Sequence, residues 1–215
     1  MTDIELSPTD LAEFETDLVG DLAIDSYTQD LLFKQARTPR AFTETPVNDA
    51  TMKAVYDLIK WGPTGRNGQP LRIVLVRSPE ARERLVRHLS PGNRARTMSA
   101  PLVALLAVDV DFHDELGTIS PAMTGAREAY ADEAWRIRAA TNSALLQIGY
   151  LIVGVRAAGL AAAPMEGFNT AGLDQDFFPD GRHRTLLVMN LGYPAEDAYK
   201  PRQPRLDYDE VVTTV

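Results

Sequence analysis

One long helical segment in the second half of the chain constrains the fold more than any other feature. Apolar side chains between 133 and 158 recur at helical spacing, and towards the end of the segment they cover most faces of the helix. Its longest apolar stretch, 145–155, is interrupted by Gln147 and is too short to span a bilayer. Such a helix needs apolar partners on several sides, so we expect it at the centre of a core or between two subunits.

Three apolar segments around this helix have the character of strands: 72–76, 102–108 and 185–191. Ser78 precedes Pro79, and a proline at the first helical position after a serine cap indicates that another helix begins there. Helices grouped around such strands predict an α+β class with a central, mostly antiparallel sheet.

Local patterns predict two more helices, one loop and the burial of two tryptophans. A short helix is expected over 27–36, and another after Asn48, which is suited to cap it. The segment 116–125 has no clear periodicity and predicts a loop. Trp61 and Trp135 are expected in the core, because large aromatic side chains mainly serve packing, with a position beside a bound ligand as the alternative. The apolar side of the helix after Asn48 would carry Met52, Val55, Tyr56 and Ile59.

Charge separates an N-terminal extension from the rest of the chain. Eight of the 30 acidic residues lie in 1–26, which contains no Lys or Arg, and the other 22 acidic residues match 22 basic residues in 27–215. Leu11, Phe14 and Leu18 have helical spacing within the acidic part. We therefore predict an acidic extension over 1–26 and one domain over 27–215, with neither nucleic acid nor a membrane as a partner.

Missing residue types and segments limit the chemistry and the location. The chain has no cysteine, which excludes disulfides, thiolate metal ligands and cysteine nucleophiles and fits a reducing compartment. No basic segment followed by an apolar core stands at the N-terminus, so no secretory signal is predicted. We expect a cytoplasmic protein.

Three short segments carry residue types that suit a flavin. Arg37-Thr38-Pro39-Arg40 combines a hydroxyl with two guanidinium groups, which bind phosphate through fixed pairs of N–H donors. The segment 63–70 is rich in turn formers and amides, whose donors and acceptors match the edge of a heterocycle. Pro164-Met165-Glu166-Gly167 follows a turn at Gly159, where small residues let the backbone approach a planar ring.

The order of these segments resembles the FMN-dependent nitroreductase family from about residue 32 to the C-terminus. The matching patterns are Arg-Thr-x-Arg-x-Phe, Pro-Thr-x-x-Asn-x-Gln-Pro-x-Arg and Pro-Met-x-Gly-Phe. The segments 60–64, 92–101 and 201–206 further resemble the branch of malonic semialdehyde reductases. The resemblance implies a nitroreductase-like fold, an intertwined homodimer, FMN as the cofactor, and NADPH or NADH as the co-substrate.

The resemblance also implies which residues contact FMN. The phosphate and the ribityl chain would be held by Arg37, Thr38, Arg40, Lys200 and Arg202, with Arg205 as a competitor of the last two. The loop over 63–70 would come from the partner subunit and contribute Pro63, Thr64, Gly65 and Asn67. Gly65 stands where Ser or Ala is commoner, so its contact would come from the backbone.

Two further groups of contacts follow from the same likeness. Asn93 and Arg96 would face the pyrimidine edge of the flavin, where a cation stabilises the reduced, anionic form. A capping Asn and a surface Arg remain an alternative. Backbone N–H groups of Pro164-Met165-Glu166-Gly167 would lie near flavin N5, and the Glu166 carboxylate would need a partner such as an Arg.

The implied function is that of an FMN oxidoreductase with a ping-pong cycle, in which the chemistry occurs at flavin N5 and no side chain is catalytic. The acceptor would be a small molecule, malonic semialdehyde, reduced to 3-hydroxypropanoate, with Arg72 or Arg96 at its carboxylate. A broad-specificity nitroaromatic or quinone reductase and a non-catalytic flavin-binding interaction protein remain alternatives.

No metal site is predicted. The acidic residues Asp109, Asp111, Asp114 and Glu115 lack the glycine turn and terminal glutamate of a calcium loop, so we expect solvated carboxylates there. His113, which lies between them and close to the loop predicted over 116–125, is expected to be structural or solvated, with contact to the substrate as the alternative.

Overall fold

The computed structural model describes residues 22–122 and 124–215. Contacts divide the chain into a short unit that ends at Ala36 and a large unit that begins at Arg37. The predicted boundary after residue 26 stays a prediction.

The N-terminal unit is helical over most of its described part. Helix α1 spans Ser26–Gln29 and continues into a π-helical turn over Asp30–Lys34, which confirms a short helix in this region. Asp25 caps α1 by accepting a hydrogen bond from the Thr28 N–H at 2.6 Å. The face predicted for Leu11, Phe14 and Leu18 lies outside the described residues.

A four-stranded antiparallel sheet forms the centre of the large unit. Its strands are β1 (Leu71–Val76), β2 (Leu102–Asp109), β3 (Ala161–Met165) and β4 (His183–Gly192). They lie in the order β1-β2-β4-β3, so β1 and β3 form opposite edges. The three predicted strands are confirmed as β1, β2 and β4. β3 was not predicted; its Pro164 is tolerated because the strand lies at an edge.

Helices connect the strands and cover both faces of the sheet. They are α2 (Asp49–Ile59), α3 (Pro79–Arg87), α4 (Pro91–Met98), α5 (Leu116–Ile119), α6 (Ala126–Ala129), α7 (Glu133–Ala157), α8 (Thr170–Phe177) and α9 (Tyr208–Val211), with 3-10 turns over Gly65–Asn67 and Phe112–Glu115. The loop expected over 116–125 is therefore wrong for its first four residues, which form α5. The part of the chain described here contains no helix long and apolar enough to cross a membrane.

Hydrophobic clusters lie on both faces of the sheet because strand side chains alternate. All eight residues of β2 are buried. Leu102, Ala104 and Leu106 pack with α2 and α7 on one face. Val103 and Leu105 pack with α3 and α8 on the other.

Helices α2 and α7 pack together on the first of these faces. The predicted cap of α2 is confirmed, because Asn48 accepts a hydrogen bond from the Thr51 N–H at 2.7 Å. The predicted long helix is confirmed as α7, and Gly154 lets it approach Ile59 closely. A β-carbon on Gly154 would lie 2.2 Å from Ile59 Cγ2. Met52, Val55 and Ile59 are buried as predicted.

Several aromatic and aliphatic side chains of α2 and α7 point away from the core. The expectation that Trp61 and Trp135 are buried is wrong, since they are 80% and 47% exposed, and Tyr56 is also exposed. A β-carbon on Gly62 would lie 2.9 Å from the Tyr150 ring, so the end of α2 abuts the outer side of α7. We call this region the α2–α7 apolar surface; it consists of Leu58, Trp61, Leu145, Leu146 and Tyr150.

Candidate functional site

The basic segment after the N-terminal unit lies beside the chain that follows β4. The Arg40 N–H donates to the Ala198 carbonyl at 2.8 Å. Arg37 Nη1 donates to the Lys200 carbonyl at 3.1 Å, and its guanidinium lies 4.5 Å from the centre of the Tyr199 ring. The two ends of the domain thus bring Arg37, Arg40 and Lys200 together, and we call these residues the basic cluster.

The remaining predicted phosphate contacts border the basic cluster in sequence. Thr38 lies between its two arginines and is exposed, and Arg202 lies two residues beyond Lys200 and is also exposed. Tyr199 was not predicted. The sequence feature that could have identified Tyr199 is its position directly before Lys200, a predicted phosphate contact, because an Arg from another segment can stack on an aromatic ring there.

A second group forms where β3 ends against the start of α4. Asn93 Nδ2 donates to the Gly167 carbonyl at 3.1 Å, and the Ser90 N–H donates to the same carbonyl at 2.8 Å. Arg96 Nη2 donates to Asn93 Oδ1. We call Ser90, Asn93, Arg96 and 165–167 the α4–β3 corner. The helical environment of Asn93 and Arg96 was not predicted, because α4 lacks apolar periodicity.

Gly167 is required by the close packing of this corner. A β-carbon there would lie 2.7 Å from Asn93 Nδ2 and 3.1 Å from Ser90 Oγ. Glu166 is exposed, and its carboxylate has no ion-pair partner among the described residues. The expectation of an Arg partner for Glu166 is therefore wrong, while its backbone stays close to Asn93 through Gly167. Pro164 and Met165 complete β3.

Arg96 has a polar atom whose hydrogen-bonding capacity is not met within the described chain. Its Nε is buried and has no hydrogen-bond partner among residues 22–122 and 124–215. Buried guanidinium nitrogens are ordinarily paired, because an unpaired buried donor is costly. The corner therefore offers one charged donor to a group from outside these residues.

The loop over 63–70 lies at the other edge of the sheet, where it leads into β1. The Gly65 N–H donates to Ser143 Oγ on α7 at 3.1 Å. Asn67 Nδ2 donates to the Ile119 carbonyl at 2.6 Å, so its amide is already used within its own chain. The Gln69 N–H donates to Thr64 Oγ1 at 3.3 Å, and Pro63 is exposed.

The backbone of this loop is strained. Arg66, Asn67 and Gln69 have φ angles of 53°, 58° and 44°, in the left-handed region that non-glycine residues seldom adopt. Such outliers concentrate at functional sites. Because β1 and β3 are opposite edges, one chain does not bring this loop to the α4–β3 corner.

A cavity of about 490 Å³ lies beside the loop. Arg72 lines it, but Arg72 already donates to the Gln69 and Leu71 carbonyls and lies 2.8 Å from the Asp109 carboxylate. The rest of the wall includes Tyr56 of α2, Lys60 directly after it, Glu115 of the second 3-10 turn and Gln147 of α7.

The prediction of solvated carboxylates at the end of β2 is wrong for Asp109 and is confirmed for Asp114 and Glu115, which are exposed. Asp109 is only 1% exposed and is bound by Arg72 and by Arg182, whose Nε lies 2.9 Å from Asp109 Oδ1. The hydrogen bond to Asp109 raises the pKa of the Arg182 guanidinium above its ordinary value. The described residues contain no group of three His, Cys, Asp or Glu side chains that could hold a metal ion.

Two buried polar residues behind the corner were also missed. Thr97 and Asn190 are fully buried and hydrogen-bond to each other at 3.2 Å. The available signal was an asparagine inside the apolar run that became β4.

Comparison with known proteins identifies the family of this chain. The model of the nitroreductase family matches residues 33–193. The chain belongs to the nitroreductase family. The resemblance noted in the sequence is thereby confirmed at the level of the family.

Among the relatives of this nitroreductase-family chain is a candidate NADH dehydrogenase/NAD(P)H nitroreductase of Streptomyces coelicolor. The two are 54% identical over 195 residues, which cover 90% of this chain and 99% of the relative.

Solved structures confirm the nitroreductase-like fold. A candidate nitroreductase from Exiguobacterium sibiricum, solved in complex with FMN, has a TM-score of 0.77 at 15% identity and covers 91% of this chain and 99% of its own. A candidate NAD(P)H:FMN oxidoreductase from Staphylococcus epidermidis has a TM-score of 0.75 at 18% identity, with coverages of 90% and 98%.

Proposed function

We propose that this member of the nitroreductase family is an NAD(P)H-dependent FMN oxidoreductase. The observation that carries the proposal is the α4–β3 corner, where the buried Arg96 Nε has no partner among the described residues. The names of its relatives and the FMN complex of a structural neighbour support the same assignment.

The residues present fit FMN. The basic cluster and the Thr38 hydroxyl would hold the phosphate, since guanidinium groups bind phosphate oxygens with paired donors. Asn93 and Arg96 would hold the pyrimidine edge, and the backbone at 165–167 would lie along the ring. The loop with Pro63, Thr64, Gly65 and Asn67 would come from a second copy, because it lies at the opposite edge of its own sheet.

When bound, FMN supplies hydride transfer from NADPH or NADH to an acceptor. The side chains of this chain then have binding and electrostatic tasks. Arg96 places a fixed positive charge where negative charge develops, which stabilises that charge without further rearrangement.

For the acceptor we propose malonic semialdehyde, reduced to 3-hydroxypropanoate, on the basis of the sequence resemblance. Its carboxylate requires a cation, and Arg96 suits this better than Arg72. Arg72 is engaged with Asp109 and with two backbone carbonyls, whereas Arg96 has an unmet donor among the described residues. The nitroreductase names of the relatives favour a nitroaromatic acceptor as the second candidate.

We further propose that the protein acts as a homodimer joined through the α2–α7 apolar surface. This surface exposes Trp61 at 80%, Leu58 at 59% and Leu146 at 53%, which is unusual for a surface that stays in water. A second copy packed there would cover these side chains. It would also lie near the loop over 63–70, because the Gly65 N–H of that loop donates to Ser143 on α7.

The cofactor proposal is tested by visible absorption of the purified protein after incubation with FMN and desalting. We expect a flavin spectrum that bleaches on anaerobic addition of NADPH or NADH. Retained flavin that does not bleach would favour a non-catalytic flavin-binding protein, and the absence of flavin would contradict the site assignment. The rate ratio between malonic semialdehyde and a nitroaromatic then ranks the two acceptors.

The dimer proposal is tested by light scattering coupled to gel filtration. We expect a mass near twice 23.7 kDa, and a monomer for Leu146→Asp. Leu22→Asp introduces the same change at another exposed leucine and should remain a dimer. A wild-type monomer at micromolar concentration would contradict the proposal.

A further inference from the structure

We propose that Asn190 and Thr97 are positioning residues that set the orientation of Arg96 and of the backbone after Met165 towards the flavin. This inference rests on the proposed function, since it concerns the same FMN site. Neither residue belongs to the predicted contacts.

Asn190 connects the middle of the sheet to the last turn of α4. It lies in β4 between Val103 of β2 and Ala163 of β3, and it is fully buried. Its Nδ2 donates to the Arg96 carbonyl at 3.3 Å. That carbonyl belongs to the final turn of α4, where carbonyls have no partner within the helix. The Asn190 amide therefore caps the helix at the residue that carries the corner's charge, together with the Ser99 hydroxyl, which donates to the same carbonyl at 3.4 Å.

Thr97 extends this connection to β3. Asn190 Nδ2 also donates to Thr97 Oγ1 at 3.2 Å, and Thr97 Oγ1 lies 3.8 Å from Met165 Sδ. Because the Arg96 carbonyl can only accept, the amide nitrogen must face it. The Thr97 hydroxyl then accepts from Asn190 and donates to the sulfur, so the bonds run in one direction from β4 through α4 to β3.

Packing alone does not explain an asparagine at position 190. Its Oδ1 is buried without a hydrogen-bond partner among the described residues, which carries a cost that an apolar side chain of similar size avoids. What the asparagine provides is the pair of donated bonds to Arg96 and Thr97. Its role is therefore to hold α4 in one position relative to the sheet.

A change in the position of α4 would alter both sides of the α4–β3 corner. Arg96 binds Asn93, and Asn93 binds the Gly167 carbonyl, so rotation of the helix end would displace the guanidinium and the glycine segment together. Small displacements of a positioned charge strongly reduce its effect on a bound group.

The test compares Thr97→Val with Thr185→Val. Each replaces a buried threonine by valine, but Thr185 lies near the start of β4, and its Oγ1 has no partner among the described residues. We expect Thr97→Val to weaken FMN binding about tenfold in a fluorescence-quenching titration, which corresponds to about 1.4 kcal/mol. The midpoint potential of bound FMN should become more negative. Thr185→Val should match the wild type in both, and Thr97→Ser, which keeps the hydroxyl, should restore them.

The outcomes separate this inference from the proposed function. If the wild type binds no FMN, the proposed function fails. If the wild type binds FMN, and Thr97→Val and Asn190→Leu melt at a lower temperature but keep its affinity and potential, the two residues are only structural and the inference is overturned. If Asn190→Leu does not fold, the Thr97 variants alone decide.

Discussion

Arg37 lies with its guanidinium 4.5 Å from the ring centre of Tyr199, while its Nη1 donates to the Lys200 carbonyl at 3.1 Å. One residue at the start of the domain thus fixes the chain near its end. The stacked guanidinium keeps further donors, because only one of its nitrogens is used in this bond.

We expect Arg37→Ala to weaken FMN binding by a factor of ten or more. It removes a charge-assisted contact to phosphate and the stacking on Tyr199. The FMN dissociation constant from fluorescence titration measures the effect, and Arg87→Ala, an exposed arginine on α3, is the control. Arg37→Lys keeps the charge but not the fork, so we expect an intermediate affinity. Normal flavin content in Arg37→Ala would contradict the phosphate assignment.

For Arg96→Gln we expect KM for malonic semialdehyde to rise about tenfold or more, with a much smaller change for a neutral nitroaromatic. The reason is loss of the cation that meets the carboxylate. Steady-state kinetics with both acceptors provide the measurement. Equal changes for the two acceptors would mean that Arg96 does not contact the carboxylate.

Arg72→Gln is the comparison variant for Arg96→Gln. It leaves buried Asp109 with Arg182 as its remaining cation, so we expect a loss of about 1–3 kcal/mol in the free energy of unfolding and little selective effect on KM. Urea unfolding measures the change in the free energy of unfolding, and steady-state kinetics measure KM separately.

Acid should weaken the contact between α3 and α8. Hydrogen bonds from Arg84 hold the pKa of Asp176 below its ordinary value, and His88 Nε2 lies 3.1 Å from the same carboxylate. A depressed pKa stabilises the fold above the unfolded-state pKa of about 3.9, and this stability is lost as the pH falls through the folded value.

The matching variant is Asp176→Asn. We expect it to unfold about 1 kcal/mol more easily at pH 7, with a difference that shrinks below about pH 4. Urea unfolding at several pH values measures this, and Glu83→Gln on α3 is the control. A difference that is constant with pH would show that the carboxylate charge is not responsible.

Gly154→Ala should destabilise the fold by about 1–3 kcal/mol, because the new β-carbon would lie 2.2 Å from Ile59 Cγ2. Thermal or urea unfolding measures the loss. Gly92→Ala on α4 meets nothing within 4 Å and should be neutral or slightly stabilising. Equal stability of the two variants would mean that α2 and α7 can move apart at little cost.

The elements that the sequence predicted are those whose signals are local. Asn48 and Ser78 each begin a helix through a cap made by their own side chain, and continuous apolarity marked β2. β3 gave no such signal, because alanine and proline have low strand propensity and Pro164 is accepted only through its edge position.

The candidate site likewise combines residues that have a local sequence signal with residues that only the fold brings together. The basic residue types at positions 37 and 40 were informative alone, but their contact with 198–200 depends on how the chain returns after β4. Asn190 is recognisable in sequence only as an asparagine within an apolar run, and its role together with Thr97 depends on tertiary contacts that no local pattern shows. Burial of Trp61 was predicted wrongly because an apolar residue for the core and one for an exposed surface look alike in sequence.

Because Trp61 and Trp135 are exposed, the intrinsic tryptophan fluorescence of the protein depends on what covers them. They are its only two tryptophans, and one lies in the α2–α7 apolar surface. Dilution that separates two copies would transfer the Trp61 indole from an apolar environment to water and shift its emission to longer wavelength. The proposed self-association can therefore be tested by intrinsic fluorescence, without any label.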